Sequence, residues 1–224
     1  MEMSRSSVRS TLAALAAASL AIAAPAFAQG HQHQHEHGPP SVPQPTHGRA
    51  GQTYTDADVH FMQSMIGHHA QAIVMARWAD SHGASSAVRI LAGRVINAQQ
   101  DEIVLMQAWL RDRGQTVPAV DPGSARVTMD GAEHEHLMPG MLTPQQLAQL
   151  GAARGEEFDR LFLTYMIQHH RGATAMVSEL FRHEGAGMDD SVFKLASDVN
   201  VDQTTEIARM QRMLADLIFA NPTP

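Results

Sequence analysis

Two segments of this chain set paired imidazoles, a thioether and a carboxylate at the same helical spacing. Asp58-x-x-Phe61-x-x-x-Met65-Ile66-x-His68-His69-x-x-Ala72-x-x-Met75 returns as Asp159-x-x-Phe162-x-x-x-Met166-Ile167-x-His169-His170-x-x-Ala173-x-x-Met176, every matched pair 101 residues apart (159 − 58, 176 − 75). Gln99-x-x-Glu102-Ile103-x-x-Met106 returns as Gln203-x-x-Glu206-Ile207-x-x-Met210, now 104 apart (203 − 99), so the second copy has three extra residues in its inter-helix connection. A duplicated bundle needs only apolar periodicity. That both copies also keep His, Met and Glu points to a ligand set for a soft metal.

Successive residues of an α-helix turn by roughly 100°, so Met65 and His69 lie within about 40° of one another and about 6 Å apart along the axis, close enough to share one ion. Met166 and His170 repeat that geometry. His68 is about 100° from His69, so each doublet should present one ring to the bundle interior and one to a flank or partner helix. His68 lines up with Met75, and His169 with Met176, but about 10 Å away, too far for one coordination sphere without a further helix. On the partner helices Gln99 and Met106 share a stripe with Glu102 about 60° away, as Gln203 and Met210 do with Glu206. These carboxylates could ligate, orient an imidazole from behind, or bond between helices. Met62, Met75, Met176 and Met213, taken singly, read as core, and Asp58 and Asp159 as helix N-terminal charges that favour the dipole.

Thioether with imidazole and no thiolate suits copper, because Met favours Cu(I) while His binds either oxidation state. Structural zinc has little use for Met, and calcium or magnesium would demand clustered oxygens that do not repeat here. The chain has no Cys, so neither disulfide nor thiolate is available, whereas fourteen Met and fourteen His are. A hydrolase reading finds no nucleophile of the usual kind: there is no thiol, and no Ser lies in a Gly-x-Ser-x-Gly context.

The elements that must position these residues follow from caps and breakers. Arg5 and Arg9 precede an apolar run from Leu12 to Ala24, and Ala26-Phe27-Ala28 offers a cleavage site, so residues 1–28 read as a secretory signal and the mature chain as periplasmic or secreted, without a membrane anchor. Removing two Arg and one Glu takes the net charge from −7 to −8 (−7 − 2 + 1), which makes nucleic acid a poor partner. Residues 29–53, with His31, His33, His35, His37 and His47, read as a disordered tail. If cleavage follows Ala28, Gln29-Gly30-His31 offers an amine, two amide nitrogens and an imidazole for a square-planar Cu(II). Cyclisation of Gln29 would remove it, and the alternative is a solvated tail that binds nothing tightly.

Thr55-x-x-Asp58 reads as a capping box opening a helix to about Ser81, and Ser85 caps a second to about Arg113, before Gly114. Prolines and glycines mark residues 114–142 as a long connection. Thr143-Pro144-Gln145-Gln146 then restarts a short helix to about Leu150, followed by long helices from about Arg154 to His183 and from Asp189 or Asp190 to about Phe219. The domain at 54–220 is thus repeat one (54–114), a crossover (115–153) and repeat two (154–220). Two αα-hairpins that bury their apolar stripes on each other make an all-α four-helix bundle with approximate two-fold pseudosymmetry.

At the two Met-Ile-x-His-His segments, at Met138-Pro139-Gly140-Met141 and at Gly155-x-x-Phe158-Asp159, residues 54–219 resemble the domain of unknown function 305 family. The resemblance implies a ferritin-like four-helix bundle, often exported, with some members binding copper and supporting copper tolerance. Carried over residue by residue, it implies Met65, His68, His69, Met138, Met141, Met166, His169 and His170 as the metal-binding positions, with Glu102 and Glu206 on the partner helices. Together with Met106, Met210 and, for Cu(II), His31, these are the candidate metal residues. The expectation is an exported copper-binding protein that sequesters copper or hands it to another copper-handling protein. Two alternatives compete. A di-metal carboxylate oxidase needs Glu-x-x-His on two core helices, and the one such spacing in a relevant place is Glu133-x-x-His136 in the crossover. A non-metal helical interaction module would carry its His incidentally.

Overall fold

The computed structural model describes residues 53–120, 127–129, 132–133 and 137–220. The signal, nearly all of the tail and His31 lie outside them. Five helices carry the fold: α1 (Asp56–Ser81), α2 (Ser86–Asp112), α3 (Pro144–Ala152), α4 (Gly155–Leu180) and α5 (Asp190–Ala220). No described helix is long and apolar enough to cross a membrane.

The helix ends sit where the caps put them. Thr55 accepts from the Asp58 amide while the Asp58 carboxylate accepts from the Thr55 amide, and Thr143 with Gln146 does the same ahead of α3. Ser85 caps α2, and Gly83 and Gly114 take left-handed backbone just past α1 and α2. Asp189 opens α5 by accepting from the amides of Ser191 and Val192. Its carboxylate also accepts from Trp109 Nε1 (3.1 Å) and Arg113 Nη2 (2.6 Å), which fastens the end of α2 to the start of α5. Burial raises the Asp189 pKa, but these donors outweigh it and the net shift is downward.

Asp58 and Asp159 do more than favour a dipole, which corrects the expectation above. Both are buried. Asp58, at the start of α1, accepts from the Gly187 amide between α4 and α5 (2.6 Å), and Asp159, near the start of α4, accepts from the Ser85 amide between α1 and α2 (3.1 and 3.2 Å). Each hairpin's first helix therefore bonds the turn of the other, and α1 and α4 run antiparallel through the middle, with α2 packed on α1 and α5 on α4.

The crossover departs from a purely irregular connection. β1 (Ala119–Val120), β2 (Val127–Met129) and β3 (Ala132–Glu133) form an antiparallel sheet in that order, Ala119 opposite Thr128 and Thr128 opposite Glu133. The β-branched Val120, Val127 and Thr128 favour this backbone where no helical period competes. The crossover then passes over α1 and α4 at residues 138–142. Gln71 accepts from the Leu142 amide (2.7 Å) and donates to the Leu142 carbonyl (3.1 Å), and Gln168 donates to Gly140 O (3.3 Å). Gly172 is what lets the backbone in, because a Cβ there would meet Pro139 O at 1.8 Å.

Two apolar clusters fill the bundle. One groups Phe61, Met62, Met65, Met106, Trp109 and Val177; the other groups Met75, Leu91, Phe158, Phe162, Met166 and Met210. Met62 and Met75 are core as expected, and Met176 and Met213 pack half-buried against the clusters.

Candidate metal centre

Along both middle helices the His doublets fall between the two apolar clusters, and all four imidazoles are fully buried. His68 and His169, equivalent residues of the two repeats, face each other with ring centroids 3.9 Å apart at 40°. The pseudo-two-fold axis therefore passes between them. The other ring of each doublet turns to its own hairpin: His69 Nε2 meets Glu102 Oε2 at 2.7 Å and His170 Nε2 meets Glu206 Oε2 at 2.6 Å. The doublet thus splits as helical geometry requires, one ring to the axis and one to the partner helix.

Those partners decide which nitrogen stays free. With Nε2–H donating to a carboxylate, assigned from the hydrogen-bond network, Nδ1 of His69 and of His170 keeps its lone pair. His68 donates Nε2–H to the Pro139 carbonyl at 3.0 Å, with the same result. No side chain or crossover carbonyl bonds His169, and the His68 backbone alone pulls its pKa upward. Nδ1 of all four rings and Nε2 of His169 are buried without a hydrogen-bond partner, as are both amide atoms of Gln99 and Oε1 of Gln203. An unpartnered buried polar group costs about 1–3 kcal/mol, so a layer purely for packing would not keep this set in both repeats.

Burial pushes the His68 pKa down to about 3, the neighbouring His69 ring adds to the effect, and the Pro139 carbonyl opposes it. His169 is lowered well below its usual 6.5, again by burial first and then by His68. The axis rings are therefore neutral at neutral pH, which is the ligating form. Carboxylate behind imidazole is the arrangement that orients a metal-bound His and raises its basicity.

Thioethers flank this layer by repeat. Met65 and Met106 are fully buried in one cluster, Met166 and Met210 in the other, so each hairpin carries its own Met-His-Glu-Met set. Met138 and Met141 sit on the turn whose Pro139 carbonyl receives His68; Met138 is half-buried and Met141 buried. Among the described residues no three His, Asp or Glu side chains converge as a metal-binding group. An ion here would need Met beside His, which fits a soft ion of low coordination number. Glu133 belongs to β3 and His136 lies outside the described residues, so neither core helix supplies a di-metal carboxylate motif there.

Sequence reasoning missed four participants. Gln99 and Gln203 were visible in the repeated Gln-x-x-Glu-Ile but read only as a stripe. The Pro139 carbonyl had no side-chain signal. Asp202 has no counterpart in the first repeat, where Ala98 stands. Its pKa is raised by burial, then by the charges of Glu102, Glu206 and Asp198, so α2 and α5 bring an acidic edge together beside the layer.

The comparisons with known proteins agree with this architecture. No curated protein matches the chain. A DUF305 protein from Streptomyces coelicolor, described as a candidate secreted protein, is 26% identical and superposes with a TM-score of 0.59, covering 72% of this chain and 93% of that one. CopM in its Cu(II)-bound form is 30% identical (TM-score 0.56, 71% and 96% covered), and in its Cu(I)-bound form 26% identical (TM-score 0.52, 71% and 96%). The family model described as domain of unknown function (DUF305) matches residues 58–214, which spans both doublets, both Gln-x-x-Glu segments and the crossover between them; the chain belongs to that family.

Proposed function

We propose that this chain is an exported copper-binding protein that sequesters copper or hands it on, with a Met-His set in each hairpin as the Cu(I) site. The observation that carries the reading is the free, buried Nδ1 of His69 and His170, each backed by a carboxylate and accompanied by buried Met on neighbouring turns. CopM, whose structures include Cu(I)-, Cu(II)- and Ag-bound forms, supports copper as the metal of this fold, with Ag(I) as its soft analogue. The signal-like residues 1–28 support export.

The test is metal titration of the purified protein. Met65→Leu with Met166→Leu should keep the helices and weaken Cu(I) far more than Zn(II), since only the softer ion depends on thioether. Unchanged Cu(I) affinity in that variant would remove the assignment. Deleting residues 29–52 should remove the tightest Cu(II) site, at Gln29-Gly30-His31, and leave Cu(I) binding and helical content as they were.

A further inference from the structure

Gln71, Gln99 and Gln203 are all buried, yet they live in different surroundings. Gln71 has both amide atoms bonded to the Leu142 backbone and needs nothing more. Gln99 is 2% exposed with neither amide atom bonded, and Gln203 is 3% exposed with Oε1 unbonded. Both stand three residues before the carboxylate that holds a doublet imidazole, and so on the same side of α2 and of α5. A buried carboxamide retained for packing finds partners, as Gln71 shows. A carboxamide oxygen left open in each repeat, three residues before the carboxylate that holds a doublet imidazole, is kept for something that enters.

We propose that Gln99 and Gln203 are further ligands of the ion layer, contributing a carboxamide oxygen that lets it accept Cu(II) as well as Cu(I). The inference rests on the copper reading above. Thioether is soft and imidazole borderline, so Met with His satisfies Cu(I) and has no use for oxygen. The harder Cu(II) prefers nitrogen and oxygen in a tetragonal set, and the carboxamide is the neutral oxygen donor that the helices supply. Neutrality matters in a buried layer, where a further carboxylate would add a charge to desolvate.

The experiment compares wild type with Gln99→Leu/Gln203→Leu, both in a His31→Ala background so that the tail terminus cannot answer for the bundle. Melting temperature of the metal-free protein, Cu(I) and Cu(II) affinity, and the Cu(II) electron paramagnetic resonance spectrum are read together. The leucine variant should melt no lower than wild type without metal, because open polar atoms have been removed. It should lose at least about tenfold in Cu(II) affinity with altered spectral parameters, while Cu(I) affinity stays within about twofold. Gln99→Glu/Gln203→Glu should recover Cu(II) binding and melt lower, since oxygen returns with a charge. A leucine variant that unfolds or melts lower, with Cu(II) affinity and spectrum unchanged in the single variants Gln99→Leu and Gln203→Leu, overturns the proposal and makes the amides structural. Wild-type protein that binds no copper overturns the copper reading as well; wild-type copper binding with the glutamines silent overturns this inference alone.

Discussion

Along α1, Ile66, Gly67, Ala70, Gln71 and Val74 are all buried, whereas of their counterparts 101 residues on, Gln168 is half-buried and Arg171 and Ala175 are exposed, and these line an open groove of about 660 Å³ together with Pro139, Thr164, Leu214 and the buried Ile167 and Gly172. The same motif therefore occupies two environments, and the crossover makes the difference. The positions where the repeats disagree are its points of contact: Gln71 grips the Leu142 backbone, while Gly172 makes room for Pro139. At the next pair, the buried Ala70 answers to an exposed Arg171. His82 and His183, also 101 apart, repeat the lesson. His82 meets the Gly151 carbonyl at 2.8 Å and stacks on Trp78 under α3, whereas His183 is exposed beside Glu179. Duplication supplied the ligands twice, but one copy was covered, and His68 took the crossover's Pro139 carbonyl as its partner.

The largest effect should come from Gly172→Ala. In a free helix this change gains up to about 1 kcal/mol, but here the new Cβ would collide with Pro139 O, so a loss on the order of 3 kcal/mol is expected in chemical denaturation. A neutral or stabilising result would show that the turn at 138–142 is not seated on α4. Gln71→Ala attacks the same turn from the other repeat. It removes two buried hydrogen bonds and leaves the Leu142 backbone unpaired, for about 2 kcal/mol by the same measurement. If it proves as harmless as a surface change, α1 is not held by the crossover.

Acidification should weaken the layer through both axis rings. His68 and His169 have folded pKa values below the unfolded ~6.5, so the unfolded chain binds more protons between the two limits. Stability of the metal-free protein is then fully present above about 6.5 and falls as pH drops toward about 3, on the order of 1 kcal/mol per pH unit per ring. Because the Pro139 carbonyl raises the His68 value, Gly172→Ala, by lifting the turn, should lower it further and extend the loss of stability to lower pH. Stability curves of the two proteins against pH, with a flat curve for wild type as the contrary result, check the point.

Much of this was legible in the sequence because it depends on near neighbours. Thr55 with Asp58, Thr143 with Gln146, Gly83 and Gly114 announce helix ends through local hydrogen bonds and backbone strain. The pairing of His69 with Glu102 could be foreseen as one of three possibilities, since both lie on facing stripes of one hairpin. The contact of His68 with His169 could not, because it is set by how two hairpins cross. Nor could the open amide of Gln99 and the open Oε1 of Gln203, whose meaning lies in what fails to reach them. The three-stranded sheet arises from residues with no repeat and no strong alternation, and Pro139 acts through a backbone atom that no side-chain pattern reports.

The exchange of carboxylates between hairpins has a further consequence for how this molecule can come apart. A hairpin alone would lose the turn amide its Asp receives from the other hairpin and the acceptor its own turn amide finds there, a double deficit that its twin cancels. The smallest cooperative unit is accordingly the pair. The arrangement would serve equally well if the two halves were separate chains, each closing the other's bend as subunits of a symmetric dimer do.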